Sequence, residues 1–218
     1  MHEFPLLRRL KRRLGFLAIP NLMMILTGAM GIVYLFEFFF AAQYGLPLSA
    51  MLSFDRAAIF SGQFWRVITF LFLPTGSNVL WTVLSLFLYL YFGRSLENAW
   101  GSFAFTVYYF VGALGAILGG FLTGYATNIY LNLSLFLAYA LLDPNHELYI
   151  LFVIPVKMKW LMWLEIASFL WIFTLSGWDG RLAMGMAVLN VFLFFWRVPV
   201  EWLKNKWRWI QWYRKWKK

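Results

Sequence analysis

The chain has 218 residues, of which 62% are hydrophobic and only 13% charged, with 24 Phe, 13 Trp and 11 Tyr. A soluble domain carries about a quarter charged residues, so a surface facing water on all sides is excluded, and the expectation is an all-α polytopic membrane domain. The lack of cysteine excludes disulfides, thiol nucleophiles and thiolate metal sites.

The remaining chemistry is sparse. Two histidines, His2 and His146, and nine scattered carboxylates form no cluster with metal-ligand spacing, so neither a metal nor a cofactor is expected. The net charge of +10 lies mainly at the two ends, beside apolar segments, where it meets anionic lipid. Nucleic acid is therefore not expected as a partner.

Residues 1–18 form a basic segment containing "RRLKRR", which precedes a full-length apolar span without a small-residue cleavage site nearby. It reads as a retained cytoplasmic segment rather than a cleaved signal. A membrane domain of six spans follows over residues 19–196: Ile19–Ala42, Val79–Phe92, Phe103–Thr123, Thr127–Leu142, Trp160–Leu175 and Leu182–Trp196. The second, fourth, fifth and sixth fall short of the ~20 residues that cross a bilayer, a shortness tolerated where protein or thinned lipid surrounds a helix. With both ends in the cytoplasm, only Arg56, Arg66 and Arg181 of the 19 Lys and Arg fall outside, as the positive-inside rule requires.

Between the first two spans, Gln43–Pro74 is too apolar for a solvated loop and is expected to form helical pieces in the outer interface, partly re-entering it. In the third span, Gly112, Ala116, Gly120 and Gly124 recur every four residues, with Gly115 and Gly119 in a second row, a spacing that lets helix backbones approach closely. The inner connection "DPNHELYILFVIPVKMKW" carries an apolar run closed by two lysines and is expected to lie along the inner interface. Residues 197–218 make a basic, Trp-rich tail. Lys204, Arg208 and Lys215 fall on one helical stripe, while Trp202, Trp209 and Trp212 cover much of the rest, the pattern of an interfacial helix.

Three landmarks occur in order: "GQFWRVITFLF" at 62–72, "YFGRSLENAWGS" at 91–102, and "PN" at 144–145 followed by "IPVKMKWL" at 154–161. Together with six spans they resemble the rhomboid superfamily of intramembrane serine proteases and their inactive relatives, the derlins among them. The resemblance covers about residues 59–196. It implies structural roles for Trp65, Arg66, Gly93, Arg94, Glu97 and Gly101. On physical grounds, Arg66 can hold backbone carbonyls or headgroup phosphates. Arg94 and Glu97 are i, i+3 neighbours that can pair with each other or cap the next helix.

The resemblance also implies where catalytic groups would stand: Gly-x-Ser-Gly at the start of span four, a histidine base on span six, and His-x-x-x-Asn on span two. Counting back from Pro144-Asn145, the nucleophile position is Ile129. No histidine follows His146, and the span-two pair falls on Trp81 and Ser85. Ser134 lies five residues beyond the family position. Twelve helical residues would separate it from His146 by about 18 Å, whereas a general base must lie within hydrogen-bonding reach. Ser134 and Asn132, two apart on different helix faces, are expected to make interhelical hydrogen bonds or to line a client groove with Trp81, Ser85 and Ile129.

Of the carboxylates inside apolar spans, Glu37 is expected to have a structural role, and Glu165 to be satisfied towards the inner interface by a lysine of "KMKW". The leading expectation is a rhomboid-like pseudoprotease of a plasma membrane, bacterial in origin, that binds transmembrane segments of clients or perturbs nearby lipid without cleavage. The alternatives are an active intramembrane serine protease with nonstandard residues such as Ser134, and a small-solute transporter using Glu165.

Overall fold

The computed structural model describes residues 15–45, 47–76, 78–150 and 154–195. The lipid-interface candidates Trp202, Lys204, Arg208, Trp209, Trp212 and Lys215 lie outside the described residues. Helices stand at all six expected positions: α1 (Leu22–Tyr44), α5 (Val79–Trp100), α6 (Ser102–Thr123), α7 (Ile129–Leu142), α8 (Met158–Leu175) and α9 (Trp178–Phe195). The connection after α1 holds three short helices, α2 (Leu48–Leu52), α3 (Arg56–Phe60) and α4 (Arg66–Thr69), and a 3-10 turn at Phe70–Phe72.

Among the described residues, four segments are long and apolar enough to cross a membrane: Gly15–Glu37, Val79–Trp100, Ser102–Thr123 and Met158–Leu175. Ile129–Leu142 is apolar but shorter. The second expected span grows by eight residues, from Phe92 to Trp100, because "GRSLENAW" continues the helix until Gly101, where φ is +84°. A glycine adopts that angle without strain, so α5 stops and α6 starts at the next residue. Gly124, at φ +101°, ends α6 in the same way, its N–H returning to the Gly120 carbonyl at 2.8 Å.

Two ends of the bundle can be told apart by their contacts. At one end, Arg56 donates to the carbonyls of Phe121 (3.0 Å) and Leu122 (3.5 Å), and the Asn128 amide donates to those of Leu71 and Leu73. At the other, Glu97 joins the starts of α1 and α6, and Tyr91 meets His146. There the expected interfacial connection is a hairpin, β1 (Glu147–Ile150) paired antiparallel with β2 (Ile154–Lys157). Pro144 and His146 present carbonyls to the N–H groups of Lys159 and Met158, capping the first turn of α8.

The core lies where α5, α6 and α7 meet, around Phe92, Leu96, Phe105, Tyr108, Leu135 and Tyr139. Large apolar side chains also cover the outside, among them Phe39, Leu80, Leu118, Leu164 and Trp171. That inside-and-out hydrophobicity is the condition of helices surrounded by lipid. The α6 stripe supplies the close approaches. A Cβ on Gly112 would stand 2.3 Å from Leu131 and 2.6 Å from the Asn190 amide, and one on Gly120 would stand 2.7 Å from the Phe54 ring.

Gly93 plays the same part between α5 and α1, where an added Cβ would lie 2.2 Å from Met23. Gly28 on α1 has nothing within 4 Å. Gly93→Ala should therefore lower the unfolding free energy in detergent by about 1–3 kcal/mol through overpacking. Gly28→Ala should be neutral or stabilising by up to ~1 kcal/mol, because alanine is the better helix former. Thermal unfolding of both variants side by side is the measurement.

Candidate functional site

A five-residue helix has no intrinsic stability, since nucleating a turn orders several residues for one hydrogen bond. α2 is nevertheless held at both ends. At its start, Glu37 of α1 accepts the Ser49 N–H and the Ser49 hydroxyl, both at 2.8 Å. At its end, the Arg66 guanidinium donates to the carbonyls of Ala50 (2.8 Å) and Ser53 (2.9 Å). Thr69 donates to Leu52 at 2.8 Å, and the Trp65 indole reaches Met51 at 3.4 Å. An anion at the N-terminus and a cation at the C-terminus also match the helix dipole. Gln63 orients the guanidinium through a 2.6 Å bond from Arg66 Nε. Of the two partners the sequence allowed Arg66, backbone carbonyls are the ones it meets.

Glu97 is buried, and its Oε1 accepts the Asn21 N–H at 2.8 Å and the Ser102 hydroxyl at 2.7 Å. Capping is thus the role the geometry supports. The alternative pairing with Arg94 is not made: Arg94 is exposed, and among the described residues the only ion pairs are His146–Asp143 and Lys157–Glu147. Gly93 and Gly101 serve as the helix contact and helix break described above.

The five groove candidates divide. Trp81 and Ile129 are exposed, at 57% and 43%, and Ser85 is half-buried. Ile129 opens α7, its N–H held by the Thr127 hydroxyl at 3.2 Å. Asn132 and Ser134 are each 1% exposed, so neither lines an open groove. The correction has a simple cause: α7 is packed between α5, α6 and α9, and its polar side chains turn into those contacts.

Ser134 belongs to the α6–α7 contact. Its hydroxyl donates to the Leu131 carbonyl at 2.6 Å and accepts from Tyr108 at 3.0 Å. His146 sits elsewhere, with Nε2 2.6 Å from the Tyr91 hydroxyl, Nδ1 3.7 Å from Asp143, and its ring against Tyr139.

Asn132 belongs to a second polar group that sequence reasoning did not assemble. Ser85 donates to the Thr75 carbonyl at 2.7 Å, the Thr75 hydroxyl bonds Tyr89 at 2.5 Å, and Tyr89 approaches the Asn132 amide. Among the described residues, the buried hydroxyls of Thr82 and Tyr109 lack hydrogen-bond partners. The Asn190 amide is likewise unpartnered, over Gly112 at one end of a small pocket whose wall includes Ala116 and Gly120. Thr82, Ser85 and Tyr89 recur at helical spacing on α5, and that periodicity was the signal available in the sequence.

Glu165 is half-buried on α8, and its carboxylate has no hydrogen-bond or ion-pair partner among the described residues. The expected lysine does not satisfy it. Lys157 faces Glu147 across the hairpin at 4.0 Å, and the Lys159 ammonium lies over the Trp160 ring at 5.8 Å. No group of three or more His, Cys, Asp or Glu capable of holding a metal occurs among the described residues.

Two predictions test these assignments. Arg66→Leu strips two charge-assisted hydrogen bonds from part-buried carbonyls and should destabilise by about 1–3 kcal/mol, with Arg66→Lys recovering part. Thermal unfolding in nanodiscs reads both. A serine-directed fluorophosphonate should label wild type and Ser134→Ala alike; labelling that disappears in the variant would restore Ser134 as a nucleophile.

Compared with known families, residues 24–130 match the model of a family described as "Eukaryotic integral membrane protein (DUF1751)". The match runs from the first turn of α1 to the first turn of α7, so it includes the Glu37–Arg66 clamp, Glu97 with Ser102, and the α6 stripe. Its description agrees with a helical integral membrane protein and is eukaryotic, against the expectation of a bacterial origin. No curated protein matches the chain.

Proposed function

We propose that this chain is a rhomboid-like pseudoprotease that binds transmembrane segments of other membrane proteins without cutting them. The observation that carries the reading is the surface beside α7. Ile129, at the position the resemblance gives to a nucleophile, is an exposed apolar residue, and Trp81, where it would have a histidine, is exposed too. Neither side chain is a nucleophile or a general base, while both offer apolar area to a passing helix.

The surroundings support binding over catalysis. α5 and α8 flank α7 and scarcely touch each other, which leaves a lateral approach from the lipid. Ser134, the alternative nucleophile, spends its hydroxyl on Leu131 and Tyr108. Helix association in a bilayer rests on packing and a few hydrogen bonds, so a partly uncovered bundle face suffices for it. The reading takes both termini as cytoplasmic and the membrane as the plasma membrane, on the strength of the charge distribution alone.

A photoreactive residue at Trp81 or Ile129 should crosslink single-span membrane proteins in intact membranes. The same probe at Leu118, on the exposed face of α6, serves as the control for random lipid-phase encounters. Crosslinks as frequent at Leu118 as at Trp81 and Ile129 would sink the proposal.

A further inference from the structure

Three glutamates lie in the long helices, and two of them are satisfied within the fold. Glu37 accepts two hydrogen bonds from Ser49, and Glu97 accepts from Asn21 and Ser102. Glu165 accepts none among the described residues. It is the eighth residue of an 18-residue helix, so about 10 Å of helix separates it from the hairpin end and somewhat more from the other. A carboxyl at such a depth is costly unless a donor meets it.

The helix that carries it is the least covered of the candidate spans, with 6% of its apolar window buried against 22–44% for the other three. Glu165 falls in register with Leu161, Met162 and Phe169, the half-buried side of α8, where Phe169 meets Tyr130 of α7. It therefore stands beside the lateral approach rather than on the outermost face.

From these observations we infer that Glu165 is the polar anchor for a partner transmembrane helix carrying a lysine or arginine near its middle. The inference rests on the client-binding reading above and names the class of client. Charge complementarity decides the occupant. Lipid amines sit at the headgroup level, more than a turn from Glu165, whereas a cation on a helix can be placed at any depth.

A second copy of this chain is the other occupant that charge allows. The described cations of its long helices are Arg94 near the end of α5, Lys159 in the first turn of α8 and Arg181 near the start of α9. Arg181 already donates to the Phe173 and Thr174 carbonyls, and Lys159 to the Trp160 ring face. Arg94 is six residues, about 9 Å, from the end of α5, so energy transfer between labelled copies that Glu165→Leu removes would make the occupant a second copy and overturn the inference.

The test uses the full chain reconstituted in phosphatidylcholine vesicles, with single-span Leu-Ala helices as probes and energy transfer as the readout. One probe has lysine at its centre, one has methionine there, and one has lysine within a turn of its end. The central-lysine helix should associate with wild type roughly three- to fifteenfold more tightly than the methionine helix, the range of interhelical polar contacts. Glu165→Leu should abolish that difference, Glu165→Asp should keep part of it, and end-placed lysine should gain nothing. Unchanged thermal unfolding of both variants shows that the fold is intact.

Equal association of the central-lysine helix with wild type and Glu165→Leu overturns the inference. If the methionine helix still binds and crosslinks at Trp81 or Ile129 in that case, client binding stands and only the anchor is lost. If no probe helix associates at all, both fail.

Discussion

A five-residue helix between a glutamate and an arginine is the contact on which the rest of this structure hangs. In a low-dielectric surround, every unmet carbonyl or N–H costs more than in water, and irregular backbone survives only where protein satisfies it. α2 meets that condition at both ends: Glu37 accepts from the Ser49 donors, and Arg66, Thr69 and Trp65 donate to four carbonyls at its end. The clamp ties the end of α1 to α4, and through the 3-10 turn to Asn128 at the start of α7. The connection between the first two long helices is thereby part of the bundle rather than a strap across it.

The opposite end uses the same physics with a different residue. Glu97 replaces a capping serine or aspartate for two helices at once, accepting from the backbone at Asn21 and the hydroxyl of Ser102. Asn21 holds a φ of +55°, an angle that asparagine tolerates better than most residues, and the Glu97 bond helps to keep it there. Between the two ends, close contact comes from Gly93, Gly112 and Gly120, where no side chain could fit. Polar anchors at the ends and small residues at the crossings divide the work of holding helices that hydrophobic burial alone cannot sort in lipid.

Function follows from what that scheme leaves over. Most polar groups in the spans are consumed by it, including Ser134, whose hydroxyl is a packing contact with Tyr108. A few are not: among the described residues, Thr82, Tyr109 and Asn190 are buried without partners, and Glu165 is half-buried without one. Buried unpaired polar atoms in a native fold call for a reason, ordered water being the ordinary one for enclosed sites. Glu165 differs because the helix that bears it is the least buried of the candidate spans.

Much of this was legible in the residues alone. Apolar run length placed a helix at all six positions, because burial in lipid demands continuous hydrophobicity, but it missed the eight residues by which the second runs on to Trp100. The four-residue glycine spacing of α6 marked a contact helix, and Arg66 in an apolar loop had few partners besides carbonyls. What the linear pattern could not decide was the pairing of groups far apart in the chain. Arg94 lies three residues from Glu97, yet Asn21 and Ser102 are what Glu97 meets; Lys159 lies six from Glu165, yet turns to Trp160. Neighbours in sequence compete with partners brought in by tertiary packing, and only the packed bundle shows which wins. The hairpin at Glu147–Lys157 and the burial of Asn132 have the same origin. Composition and periodicity dictate what lies in the membrane, whereas the approach of α5, α6, α7 and α9 decides which polar group is answered and which is left open.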